Sequence, residues 1–299
     1  MSLTALILIL LSAGLHACWN FISKSSKPSA LFFLIATCAS LVLFMPFLIW
    51  SLNGAMFSLP GIFWILLAVT GFFQTLYYVG LASAYRCGDI SLVYPLVRAL
   101  PVLIVPSVCF LIAFGERLSA GALGGMFLIC AGCVVIPMNS FSEWNVKDYT
   151  GPAMRWVVPA AVGTVGYTIT DSAAIKMLSD AGIGKLTPLV YTSWEAAAIL
   201  PWLILCILLF RRERGQRHNF EGKRILKPVS AGIICTISYL LVLASMLFVT
   251  NVSYVAAFRQ LSIPLGVVLG VVILKEKITL PRFAGTCLIV AGLVFTAIF

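Results

Sequence analysis

Four ionisable side chains stand inside long apolar stretches of this chain: Arg98, Asp171, Glu195 and Arg259. A charge at the centre of a membrane helix costs about 2.5–3.5 kcal/mol on insertion scales, so each should face the protein interior and find a partner there. Arg98 and Arg259 sit at similar depth in their stretches. A guanidinium suits bidentate capture of a carboxylate, phosphate or phosphonate. The alternative is that each arginine pairs with Glu195, Asp171 or a helix C-terminus and fixes packing. Glu195, close to Tyr191 and Trp194, reads as the counter-ion of an arginine or, left unpaired, as a proton-exchanging group. Asp171 lies nearer one end of its stretch, where water can reach it, and reads as an interfacial residue.

Polar and aromatic side chains recur around these charges. His16, Asn20 and Lys24 follow at i, i+4 and i+8, with Trp19 beside them, a stripe that in a membrane helix faces the bundle or a cavity. For His16 and Asn20 the alternative is an interhelical hydrogen bond. Lys24 and its counterpart Lys176 read as snorkelling interfacial residues. Gln74, Tyr77 and Tyr78 cluster in one stretch, and Tyr94, Tyr167, Tyr239 and Tyr254 are spread over others. Such rings could clamp a substrate or cap an arginine by cation–π contact, although most membrane tyrosines belong to interfacial belts or to packing. Of these, Tyr94 and Tyr239 join the Gln74 cluster, the Trp19 stripe, both arginines and Glu195 as candidate substrate contacts. The chain has only two histidines, His16 and His218, and lacks H-E-x-x-H, an acidic metal cluster and a Gly-Lys-Ser/Thr phosphate loop. Neither an enzyme, a metal site nor a cofactor is expected.

What must position these residues follows from composition. Of 299 residues, 61% are hydrophobic and 10% are charged, against about 25% charged in soluble proteins. Thirty charges cannot coat a soluble protein of this length, which excludes an ordinary soluble enzyme, a disordered chain and a soluble nucleic-acid binder. The net charge is +10, and Arg211–Lys227 holds seven basic against two acidic residues, 7 − 2 = +5, half of the total. That concentration reads as an orientation signal, with anionic lipid as a second reading. Nine cysteines, an odd number and nearly all inside apolar stretches, form no legible disulfide framework. Cys130 and Cys133 read as small residues at helix contacts.

Apolar stretches at 3–22, 30–50, 61–81, 91–113, 120–138, 156–176, 187–210, 228–249, 252–273 and 280–299 predict ten membrane helices. Only helices or closed barrels satisfy the backbone in lipid, and runs this long without alternation are not barrel strands. The expected fold class is an all-α integral membrane protein. No Lys or Arg precedes the first run, and Trp19-Asn20 stand where a signal cleavage site would fall, so it reads as the first span. Loops after the odd-numbered spans hold 2, 1, 2, 7 and 3 basic residues, 15 in all, against 3 on the other side. The positive-inside rule puts the 15 in the cytoplasm and both termini outside.

The two halves repeat. Glu116-Arg117-Leu118-Ser119, followed by Gly125 and Gly132, answers Glu276-Lys277-Ile278-Thr279, followed by Gly285 and Gly292, at an offset of 160. Asp89-Ile90-Ser91 answers Asn251-Val252-Ser253 at 162, and Arg98 answers Arg259 at 161. The Glu residues read as loop closures beside the N-caps Ser119 and Thr279, and Gly121-x3-Gly125 and Gly266-x3-Gly270 as close helix contacts. Residues 1–150 and 151–299 are the expected repeats. Five spans per copy make the second enter the membrane from the opposite side. Such inverted repeats are the usual construction of secondary transporters, which open a central site to either face by alternating access.

With its Pro-bearing fourth and ninth stretches (Pro101, Pro264) and its opening Ser12-Ala13-Gly14-Leu15-His16-Ala17-Cys18-Trp19-Asn20, the chain resembles the drug/metabolite transporter superfamily, EamA type, over essentially its whole length. The resemblance implies an exporter or exchanger of small organic solutes, held between the halves. The expected protein is an inner-membrane secondary transporter of a small polar, anionic or zwitterionic metabolite. A proton or counter-substrate could provide the coupling, and the oligomeric state is open. A flippase for a lipid head group or lipid-linked substrate is the nearest alternative; a membrane enzyme or scaffold subunit is more distant.

Overall fold

The computed structural model describes residues 2–24, 26, 28–52, 54, 56–87, 90–138, 140–142, 149, 151–210, 213, 222–274 and 278–298. Among them every regular element is helical. The helices are α1 (Leu3–Lys24), α2 (Ala30–Ser51), α3 (Gly61–Cys87), α4 (Ile90–Leu111), α5 (Ala120–Val135), α6 (Met154–Leu178), α7 (Thr187–Leu209), α8 (Leu226–Met246), α9 (Val252–Phe258), α10 (Ser262–Leu274) and α11 (Leu280–Ile298). Seven stretches are long and apolar enough to cross a membrane. One of them, Met154–Leu209, contains both α6 and α7. Shorter apolar segments run over Ala120–Val135 and Val252–Val268.

Local chemistry explains the boundaries. Ser29 is extended and its hydroxyl accepts from Phe32 N, capping α2; Ser119 does the same for α5 through Ala122 N, as expected of an N-cap serine. Thr279 Oγ1 accepts from Arg282 N at 3.4 Å, while Glu276 lies outside the described residues. Between α6 and α7 the chain passes through a π turn and a 3-10 turn, where Gly182 and Gly184 take φ of 85° and 68°, a left-handed conformation open to glycine at little cost. Pro188 then sits in the first turn of α7, where its missing N–H costs nothing.

The ninth predicted span is not one helix. It breaks into α9, a 3-10 turn at Arg259–Leu261, and α10. Pro264 explains the break: its ring crowds the carbonyl four residues earlier, and it cannot donate, so the turn before it tightens. The third span also runs six residues past the expected 81, to Cys87.

Long helices pair closely: α3 on α6, α1 on α8, α2 on α7, and α5 on α11. Small residues permit the approach. At the last pair the four glycines interlock reciprocally. A Cβ at Gly132 would come 2.5 Å from the Gly285 carbonyl oxygen, and one at Gly292 would come 2.5 Å from that of Gly125. Gly266 departs from expectation, since a Cβ there would meet open space. Glu116 closes its loop through the backbone, its N–H donating to Thr250 O and its carbonyl accepting from Asn251 Nδ2, while the residue itself is exposed.

Cys130 is buried against α4 and donates to Ala99 O; it and Cys133 are free thiols. Large apolar side chains such as Val42, Phe110, Phe127 and Leu209 point outward, the surface a lipid solvent would cover. At one end of the bundle Glu213 is buried. It accepts from Ala30 N at the start of α2 and from Arg86 Nη2 at the end of α3, each at 2.8 Å. Most of the basic segment around it, and the loop-charge count that rests on it, lies outside the described residues.

Candidate functional site

The interior encloses a cavity of about 720 Å³, counted with its mouth. Its walls come from α1, α2, α3, α6, α7, α8 and the 3-10 turn. The turn matters most. By interrupting the ninth span it carries Arg259 to the cavity, and the Arg259 carbonyl there accepts from the Ser262 N–H, from Ser262 Oγ at 3.0 Å, and from the side. Arg98 Nη2 donates to that carbonyl and, at 3.1 Å, to Ser262 Oγ. Arg98 therefore holds a helix end, one of the two readings its type allowed, and it does not line the cavity. Tyr94 is also behind the wall, its hydroxyl 3.2 Å from Ser262 Oγ.

Arg259 faces the cavity with its residue 7% exposed. Its Nη2 donates to Tyr167 OH at 3.3 Å, and its Cζ lies 5.8 Å from the Tyr167 ring centroid and 5.3 Å from that of Tyr239. Cation–π contacts of this kind stabilise a desolvated guanidinium without neutralising it. Among the described residues the ion pair is Arg86–Glu213, so the alternative in which Arg259 pairs directly with Glu195 or Asp171 is not found there.

Glu195 lines the cavity and accepts from Gln74 Nε2 at 2.7 Å. It lies in the field of Arg259 and in the like-charged field of Asp171, and among the described residues it makes no ion pair with Arg259. Asp171 corrects its interfacial reading: it is 0% exposed. Thr70 and Tyr191 donate to Oδ1 at 2.6 and 2.7 Å, and Tyr239 donates to Oδ2. Three hydroxyl donors satisfy this buried carboxyl group. Tyr239 thus binds Asp171 with its hydroxyl and offers its ring to Arg259.

On α1, His16 and Trp19 line the cavity. Trp19 Nε1 donates to His16 Nδ1 at 3.0 Å, with the rings edge to face at 5.1 Å. Asn20 is set back and donates from Nδ2 to the His16 carbonyl at 2.8 Å. The side chain of Lys24 is outside the described residues, and Lys176 lies over the Phe114 ring at 5.6 Å. Tyr77 and Tyr78 complete the α3 wall, Tyr78 stacking on Phe33 at 4.3 Å.

The cavity therefore gathers His16, Trp19, Gln74, Tyr77, Tyr78, Glu195, Tyr239 and Arg259 from the sequence candidates, and leaves Asn20, Tyr94 and Arg98 behind its wall. Sequence reasoning missed the whole α2 contribution, Phe32, Phe33, Thr37 and Ser40. These types are unremarkable in a membrane helix, and the signal was absent. Tyr167 was visible only as one tyrosine among several.

With helices as the regular elements among the described residues and several of them long and apolar enough to cross a membrane, the chain is a multi-pass membrane protein. Residues 172–298 match the EamA-like transporter family. No curated protein matches the chain. A solved structure, described only as a crystal structure of a protein, aligns over 100% of this chain and 98% of its own, with a TM-score of 0.72 and 18% identity. That likeness is one of fold.

Proposed function

We propose that this chain is a secondary transporter that moves a small polar metabolite, anionic or zwitterionic, across a bacterial-type inner membrane by alternating access. The observation that carries the reading is Arg259, a buried guanidinium in the cavity whose recorded partners are a tyrosine hydroxyl and two aromatic faces. Its charge is left for an anionic group of the substrate. Glu195, held by one Gln74 donor, is the group suited to exchange a proton or to meet a substrate ammonium.

In this reading Met154–Leu209 counts as two spans, and α5 and the broken α9–α10 as one each, giving ten spans in two inverted five-helix repeats, 1–150 and 151–299. The packing supports it. Exchanging each helix with its counterpart turns the α1–α8 pair into α6–α3 and maps the α2–α7 and α5–α11 pairs onto themselves. The reciprocal contacts of Gly125, Gly132, Gly285 and Gly292 fit a pseudo-two-fold axis between the halves. The test is uptake by proteoliposomes across a panel of amino acids, organic acids, phosphate esters and phosphonates. Saturable counterflow of one class is expected; a panel without movement, from folded protein, would overturn the reading.

A further inference from the structure

His16 is 7% exposed and lines the cavity, yet among the described residues its Nε2 is buried without a hydrogen-bond partner. Its other nitrogen is occupied. Nδ1 accepts the Trp19 indole N–H, and an indole nitrogen can only donate. An Nδ1 that accepts carries no proton, so the imidazole is neutral and its one N–H is on Nε2. The unpartnered atom is therefore a donor, and a buried donor without an acceptor costs about 1–3 kcal/mol. Trp19 is almost fully buried, and Asn20 ties its amide to the His16 carbonyl. His16, Trp19 and Asn20 thus form a self-contained unit on α1 that fixes one tautomer.

The only complementary ligand group is an acceptor. α1 packs against the 3-10 turn that carries Arg259, and both side chains line the same cavity. We infer that the His16 Nε2–H is a binding donor which acts with the Arg259 guanidinium on one oxyanion of the transported solute, a carboxylate, phosphate or phosphonate. This rests on the proposed transport reading and extends it. Arg259 supplies charge, and His16 supplies a neutral, directional hydrogen bond that selects for an acceptor oxygen. A cationic or purely apolar solute would leave both donors unsatisfied.

The experiment uses purified protein with 15N-labelled histidine. Only His16 and His218 contribute, and His218→Gln assigns the spectrum. The expected His16 signal is that of a neutral ring protonated at Nε2, and Trp19→Phe mixes the tautomers. Adding methylphosphonate, glycerol 3-phosphate or succinate, whichever binds in an Arg259-dependent manner, moves the Nε2 resonance. His16→Phe weakens that binding roughly tenfold, and His16→Gln, which keeps a side-chain N–H donor, recovers most of it. A ring protonated at Nδ1, or an Nε2 resonance unmoved by a probe that does bind through Arg259, would overturn the role of His16 and leave the anion reading intact. An Nε2–H ring with no probe bound would instead overturn the anion reading, and this inference with it.

Discussion

The guanidinium of Arg98 donates to the backbone carbonyl of Arg259, so one buried arginine braces the chain that carries the other. The two lie 161 residues apart, at corresponding places in the proposed repeat, but do different work. Arg98 adds a charged donor to a carbonyl at the turn ahead of Pro264 that also accepts from Ser262, and Arg259 turns into the cavity. Arg98→Gln should lower thermal stability, because a charge-assisted hydrogen bond is worth about 1.5–3 kcal/mol. It should also weaken ligand binding through misplacement of Arg259. Detergent-phase thermal unfolding together with ligand titration checks both effects, and unchanged values in both would remove the brace from the account.

Asp171 receives three hydroxyl donors. Asp171→Ala would strand the Tyr191 and Tyr239 hydroxyls, Thr70 keeping Thr170 Oγ1 beside it, and should cost about 2 kcal/mol or more, whereas Asp171→Asn keeps an acceptor and should cost less. Tyr239→Phe removes one donor but leaves the ring beside Arg259, and should lie within about 1.5 kcal/mol of wild type. Denaturation of the three variants gives the order; an Ala variant as stable as the Asn variant would contradict it.

At the α5–α11 crossing, Gly132→Ala places a Cβ against the Gly285 carbonyl oxygen. Overpacking of this kind costs about 1–3 kcal/mol. Gly266→Ala meets open space and should be tolerated, with a small gain in helix propensity. Comparing the two thermal midpoints tests whether close approach, rather than glycine content as such, governs this interface.

Glu195→Gln retains a side-chain acceptor for Gln74 and removes the exchangeable proton. Yield of folded protein should be unchanged, while uptake driven by a pH gradient should be lost and exchange without a gradient retained. Wild-type uptake that ignores a pH gradient would exclude Glu195 as a coupling group.

Much of this architecture was readable beforehand, for identifiable reasons. Length of apolar runs located the helices, since lipid permits few alternatives, and most boundaries fell within a few residues. The helix break at Arg259 was missed although Pro264 was in view, because proline is tolerated within membrane helices, as Pro46 is in α2 and Pro159 in α6. Asp171 was misread because depth along a helix does not tell which way a side chain points. Its three donors come from Thr70, Tyr191 and Tyr239 on three other helices, a convergence that no local pattern encodes. The i, i+4 stripe of His16 and Asn20 with Trp19 beside it was visible in the sequence, but the bond His16 makes, to Trp19 three residues on along the same helix, is within α1 rather than interhelical.

The most direct test of the central claim is binding and counterflow by Arg259→Gln in the same liposomes as wild type. The account predicts normal folded yield, loss of affinity for the transported anion by at least tenfold, and flux near background. Arg259→Gln protein that binds and transports as wild type would show that the buried guanidinium is structural, and that the substrate is recognised elsewhere.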